Sequence, residues 1–154
     1  MKIDLHCHTK AIKKGDGDGR NVTPELFHEK ISNTDIKIVA ITNHNHFDYE
    51  QYEILKDSVE GICQVWPGVE IDVEGNTKWH LIVVANPENV NAFANKVAGL
   101  FDGRNLDKCT LSLENVYEAL NDCDVIYIPH YHKSPGIKEE DRKHLSELDR
   151  KSVV

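Results

Sequence analysis

Five histidines and one glutamate stand where apolar runs begin or end, and imidazole with carboxylate is the donor set of zinc, manganese and iron sites. The chain opens on Asp4-Leu5-His6-Cys7-His8-Thr9. Side chains on a strand alternate faces, so His6 and His8 point one way and Cys7 the other, and two imidazoles one pleat apart can grip one ion. His44 follows the run ending Ile41-Thr42-Asn43, Glu70 lies within Pro67-Gly68-Val69-Glu70-Ile71, His80 precedes Leu81-Ile82-Val83-Val84-Ala85, and His130 follows Ile128-Pro129. Cys7, Cys63, Cys109 and Cys123 form no Cys-x-x-Cys pair, which argues against a thiolate knuckle and a disulfide framework and favours a catalytic site with an open position for water. Metal ions ~3.5–4 Å apart can clamp the attacking and leaving oxygens of a phosphate ester and lower the pKa of bound water. Glu70 is the natural bridge between two ions, because a carboxylate has two oxygens and a charge to spread.

The elements that must position these groups alternate. β-branched runs predict strands at Lys2 to His6, Ile36 to Thr42, Ile62 to Val73, Trp79 to Ala85 and Asp124 to Pro129. Thr23-Pro24-Glu25 and Asn86-Pro87-Glu88 are helix starts with proline at the first helical position, Ser112 caps a third helix, and Asp48 to Val59 supplies another. Strand, helix, strand in alternation predicts an α/β fold of parallel strands joined by crossovers, with functional residues beyond the strand C-termini. His6, His8, His44 and His130 obey that rule. His80 does not, since its apolar run comes after it. Lys10 to Asn21, with Gly15-Asp16-Gly17-Asp18-Gly19, is the one long loop and reads as a lid or ligand loop.

With 154 residues, 40% of them hydrophobic, the chain is expected to form one domain around one core. It has no run of eighteen apolar residues, and Met1-Lys2-Ile3 leads straight into the first strand, so we expect no membrane segment, no signal peptide and a cytoplasmic location. A formal charge of −8 disfavours broad binding to nucleic acid, although two or three divalent cations would offset much of it. Lys10, Lys13, Lys14 and Arg20 crowd the loop after His8, and Lys133 follows His132. They either line a basic mouth for a phosphate-bearing substrate or solvate a loop.

In order and spacing, the motifs Asp4 to Thr9, a downstream Asp-Gly, Thr23-Pro24-Glu25, Ala40-Ile41-Thr42-Asn43-His44, Pro67 to Ile71, His80 and Ile128-Pro129-His130 resemble the PHP (polymerase and histidinol phosphatase) family over residues 2 to 136. The resemblance implies a distorted (β/α)7 barrel, here incomplete or truncated at its C-terminus, holding two or three divalent ions (zinc, manganese or iron). It implies a first ion on His6, His8 and Glu70, a second on Glu70, His80 and His130, and a third between His44 and a loop aspartate. Asp18, in Asp18-Gly19, is the expected aspartate, with Asp16 its rival. Lys10, Lys13, Lys14 and His132 are the expected phosphate contacts.

Two departures from the family pattern stand out. Asn43 occupies the place of the usual aspartate of Thr-Asp-His, and the closing Asp-x-His motif does not occur before Val154. The expected activity is metal-dependent hydrolysis of a phosphomonoester, a nucleotide or a nucleic-acid end by a metal-activated water, that is, a phosphatase or nuclease. The alternative is a non-catalytic or weakly active PHP module, the amino-terminal part of a longer chain carrying a polymerase or an ATPase of DNA repair or defence.

Overall fold

The structure, a computed structural model, describes residues 1–133 and 136–151. Five strands form one open sheet in sequence order: β1 (Lys2–Cys7), β2 (Ile36–Ile41), β3 (Gln64–Val73), β4 (Trp79–Ala85) and β5 (Val125–Pro129). α1 (Pro24–Ser32) joins β1 to β2, and α2 (Tyr49–Ser58) joins β2 to β3. α3 (Val90–Phe101) and α4 (Leu113–Leu120) lie between β4 and β5, and α5 (Glu139–Lys151) follows. The predicted caps Thr23 and Ser112 accept from the backbone N–H of Leu26 and Asn115, both at 3.2 Å, and Asp48, at the start of its predicted helix, accepts from Gln51 at 3.0 Å. Each such cap typically contributes about 1 kcal/mol.

β1, β2 and β3 are parallel, but β3 pairs antiparallel with β4, and β4 antiparallel with β5. The expectation of parallel strands throughout is therefore corrected. Glu74 to Lys78 is all that separates β3 from β4, enough for a hairpin and far short of the dozen or so residues a crossover requires. This reversal explains His80. Because β4 runs backwards, its first residues lie at the end where β1 to β3 finish, and β5, reversed again, ends there with His130.

The two sheet faces are chemically distinct. Val69, Ile71 and Val73 of β3 and Trp79, Leu81, Val83 and Ala85 of β4 join Tyr52, Leu55, Phe93, Val97, Val116 and Leu120 in the main core beneath the helices. The opposite face carries Glu70, Asp72 and His80 beside a small cluster of Ala40, Ile82 and Val84, against which Leu5, Trp66 and Ile128 pack. The sheet also curls. β1 and β5 are its opposite edges, about 19 Å apart in a flat five-stranded sheet, yet the rings of His6 and His130 are 4.7 Å apart. The sheet is thus a mixed α/β half-barrel of five strands, consistent with the incomplete barrel that was expected.

Candidate metal centre

Each strand delivers its histidine through local geometry. β1 has one extra residue between Asp4 and Cys7 relative to β2, a bulge of the kind that re-aims side chains beside functional sites. Leu5 thus packs on the site face and Cys7 in the main core, where burial raises its thiol pKa to about 11. Asp4 is exposed and accepts from the backbone N–H of His6 at 3.0 Å, so it does not orient the ring. Beyond β2 the chain stays paired with β3: Glu70 N–H donates to Asn43 O at 3.0 Å and Asn45 N–H donates to Glu70 O at 2.8 Å, which sets His44 beside Glu70. Asn45 turns the chain away with φ 51°, a left-handed conformation that asparagine tolerates. Its side chain accepts from Asp72 N–H and donates to Leu106 O, both at 3.0 Å.

Glu70, fully buried, is the hub. Its Oε2 lies 3.0 Å from His6 Nε2, 3.1 Å from His8 Nε2 and 3.4 Å from His44 Nδ1. Its Oε1 lies 2.7 Å from Lys133 Nζ, 3.4 Å from His130 Nδ1 and 3.6 Å from His80 Nδ1. Burial alone would raise the Glu70 carboxyl pKa, but hydrogen bonds from His6, His8 and Lys133, with the nearby His44, outweigh it and hold the group far below the usual carboxylate range. Burial is the main influence lowering His44, to about 3, against the opposing pull of Glu70. His130 is lowered for the same first reason.

The donor set fits a divalent cation. His6 Nε2 and His8 Nε2 are 3.0 Å apart, so these two atoms and Glu70 Oε2 form a nearly equilateral triangle, close to the ~3.0 Å between perpendicular ligands each ~2.1 Å from one ion. Among the described residues this is the one group of three such donors lying within 4.8 Å of one another. Four buried atoms around it, His8 Nδ1, His44 Nδ1, His80 Nδ1 and Asp72 Oδ1, have no aligned hydrogen bond.

The fold therefore gathers six of the seven expected ligands: His6, His8, His44, Glu70, His80 and His130. The seventh, Asp18, is not brought to them, and its rival Asp16 is. Asp18 is exposed at the start of a 3-10 turn, whereas Asp16 Oδ1 lies 3.5 Å from His44 Nε2. Asp16 is held there because it accepts from the backbone N–H groups of Ile12 and Lys13, both at 2.9 Å, and pairs with Arg20. Of the expected phosphate contacts only Lys13 reaches the site, paired with Asp72. Lys10 pairs with Asp48 away from it, and Lys14 and His132 are exposed.

Two further site residues, Asp72 and Lys78, were not assigned from sequence, while Lys133, read as part of a basic mouth or a solvated loop, pairs with Glu70. Asp72 shares a face with Glu70 two positions earlier, a signal the strand alternation carried. Burial would raise its carboxyl, but His80 and Lys13 outweigh that and hold it well below the ordinary range. Lys13, Lys78, Lys133, Arg20, His44 and His80 line an open cavity of about 400 Å³.

Neither a protein-family model nor a curated protein matches the chain. Among solved structures it is similar to a "putative metal-dependent phosphoesterase" from Bifidobacterium adolescentis, with a TM-score of 0.66 and 12% identity over 95% of this chain and 74% of that one. It also overlaps an amidohydrolase from Chromobacterium violaceum, with a TM-score of 0.43 and 22% identity over 66% of this chain and 34% of that one. The first likeness defines a shared mixed α/β fold.

Proposed function

We propose that the chain is a metal-dependent phosphoesterase domain of the PHP type, its sheet corresponding to the amino-terminal strands of a (β/α)7 barrel. The observation that carries the reading is the triangle of His6 Nε2, His8 Nε2 and Glu70 Oε2, with edges of 3.0–3.1 Å, joined through Lys133 and His44 to a cavity whose lining includes Lys13, Lys78 and Arg20. His6, His8 and Glu70 would hold the ion, with Asp16, His44, His80 and His130 around it. A divalent ion there would supply Lewis-acid charge and a lowered pKa for water. The chain's own residues do the rest. Glu70, kept ionised by its histidines and Lys133, supplies the anionic ligand. His44 stays neutral at neutral pH and keeps a lone pair for a cation or a proton. Lys13, Lys78 and Lys133 bring positive charge to a half-buried cavity, where an anionic phosphate is attracted more strongly than at an open surface.

The substrate class is a small phosphate ester or a strand end, because the net charge of −8 opposes a long duplex while the cavity mouth is basic. The test is hydrolysis of p-nitrophenyl phosphate and bis(p-nitrophenyl) phosphate by purified chain loaded with manganese or zinc. Turnover of at least one ester, reduced on the order of 100-fold or more in His6→Ala, is the expected result. Hydrolysis of neither, with His6→Ala unchanged from wild type, would remove the proposal and leave a non-catalytic metal-binding module.

A further inference from the structure

The second oxygen of Glu70 is already partnered by a cation that belongs to the chain. Lys133 Nζ lies 2.7 Å from Glu70 Oε1, nearer than His130 Nδ1 at 3.4 Å or His80 Nδ1 at 3.6 Å. Among the described residues, the group of three such donors within 4.8 Å of one another is His6, His8 and Glu70, without His80 or His130. Asp72 pairs with Lys13 and Lys78, and Asp16 with Arg20. With Asp107, which also lines the cavity, four carboxylates face four fixed positive charges. One divalent ion on His6, His8 and Glu70 already makes the site net positive, and each further ion would add two charges within a few ångströms of an ammonium, where burial limits screening.

We propose that Lys133 is the built-in second cation of this centre, so that the site takes one divalent ion per chain and not two or three. An ammonium is a compact point charge with three donors. It holds the second Glu70 oxygen, and its position on the cavity wall leaves it able to face the phosphate of a substrate. This inference rests on the metal-centre reading above, because it presupposes an ion at His6, His8 and Glu70.

The test is metal stoichiometry, which does not depend on activity. Wild-type chain and the variants Lys133→Met, Lys133→Arg and Lys133→Met with His130→Ala are equilibrated with manganese, dialysed and assayed for metal per chain by mass spectrometry and calorimetry. One ion is expected in wild type and Lys133→Arg, two in Lys133→Met, and one again in the double variant. Two or more ions in wild type overturn the inference while leaving the phosphoesterase reading intact. One ion in both wild type and Lys133→Met also overturns it. No ion in wild type removes the metal-centre reading and this inference together. Should Lys133→Met fail to fold, the wild-type count still decides.

Discussion

Asp72 and His80 face each other across the antiparallel β3–β4 ladder, with Asp72 Oδ1 2.8 Å from His80 Nδ1. The hairpin that reverses the sheet thus brings a second buried carboxylate to the candidate metal centre, beside the histidine that stands at the start of β4. Asp72 also receives Lys13 and Lys78, so it joins the ligand loop after β1 to the β3–β4 hairpin.

That connection predicts the cost of losing it. Asp72→Ala leaves the half-buried Lys13 ammonium without its carboxylate and should destabilise the chain by about 3 kcal/mol. In urea unfolding, Lys13→Met should cost less, and Asp72→Ala should cost much less in the Lys13→Met background than alone. Equal effects in the two backgrounds would show that the pair is not coupled.

The lowered pKa of His44 predicts an acid-sensitive fold. The native group takes up a proton only at about pH 3, whereas the unfolded chain does so near 6.5. Between those values the unfolded state binds more protons, so stability falls as pH drops, by on the order of 2 kcal/mol at pH 5. Glu70 and Asp72, depressed in the native state, contribute stability that is present above their unfolded values near 4 and is lost as pH falls below them. Thermal unfolding of metal-free chain should show Tm decreasing from pH 7 to 5, and His44→Gln should reduce that slope, leaving the part due to His46 and His130, which burial also lowers, while keeping the loss below pH 4. A wild-type Tm constant from pH 7 to 5 would contradict this.

Gly68, two residues before Glu70 on β3, sits between β2 and β4. A Cβ there would meet Thr42 Cγ2 at 2.8 Å, Val83 O at 2.9 Å and Ile41 O at 3.1 Å. The two carbonyls belong to the flanking strands and cannot retreat alone. Gly68→Ala should cost about 1–3 kcal/mol, as overpacking usually does, read as a lowered urea midpoint. A shift below about 0.5 kcal/mol would mean the strands part more easily than this packing implies.

The sequence made the candidate ligands legible because strand alternation and chain position carry them. His6 and His8 share a face, and each apolar run shows where a strand ends. Direction was harder to read. An apolar strand looks the same whichever way it runs, so only the short Glu74 to Lys78 link marked the reversal that explains His80. The choice of Asp16 over Asp18 turned on two backbone N–H donors in an irregular loop, which no periodicity announces. Asn43 was read through the carboxylate it lacks, whereas its work is structural. Buried, it accepts from the backbone N–H groups of Thr9 and Lys10 at 2.8 and 3.0 Å, fixing the turn just after His8. Asn43→Asp retains that acceptor but loses the Nδ2 donation to Thr9 Oγ1 at 3.2 Å, so it should cost less than Asn43→Ala, which leaves both backbone donors unpaired and should cost about 1–3 kcal/mol.

The claim at the centre of this account is that His6, His8 and Glu70 hold a divalent ion. Crystals of the chain soaked in manganese and measured at the metal's absorption edge test it most directly. The account predicts an anomalous peak ~2.0–2.3 Å from His6 Nε2, His8 Nε2 and Glu70 Oε2, absent in Glu70→Gln. No peak there in crystals of the wild-type chain, or a peak unaffected by Glu70→Gln, would contradict it.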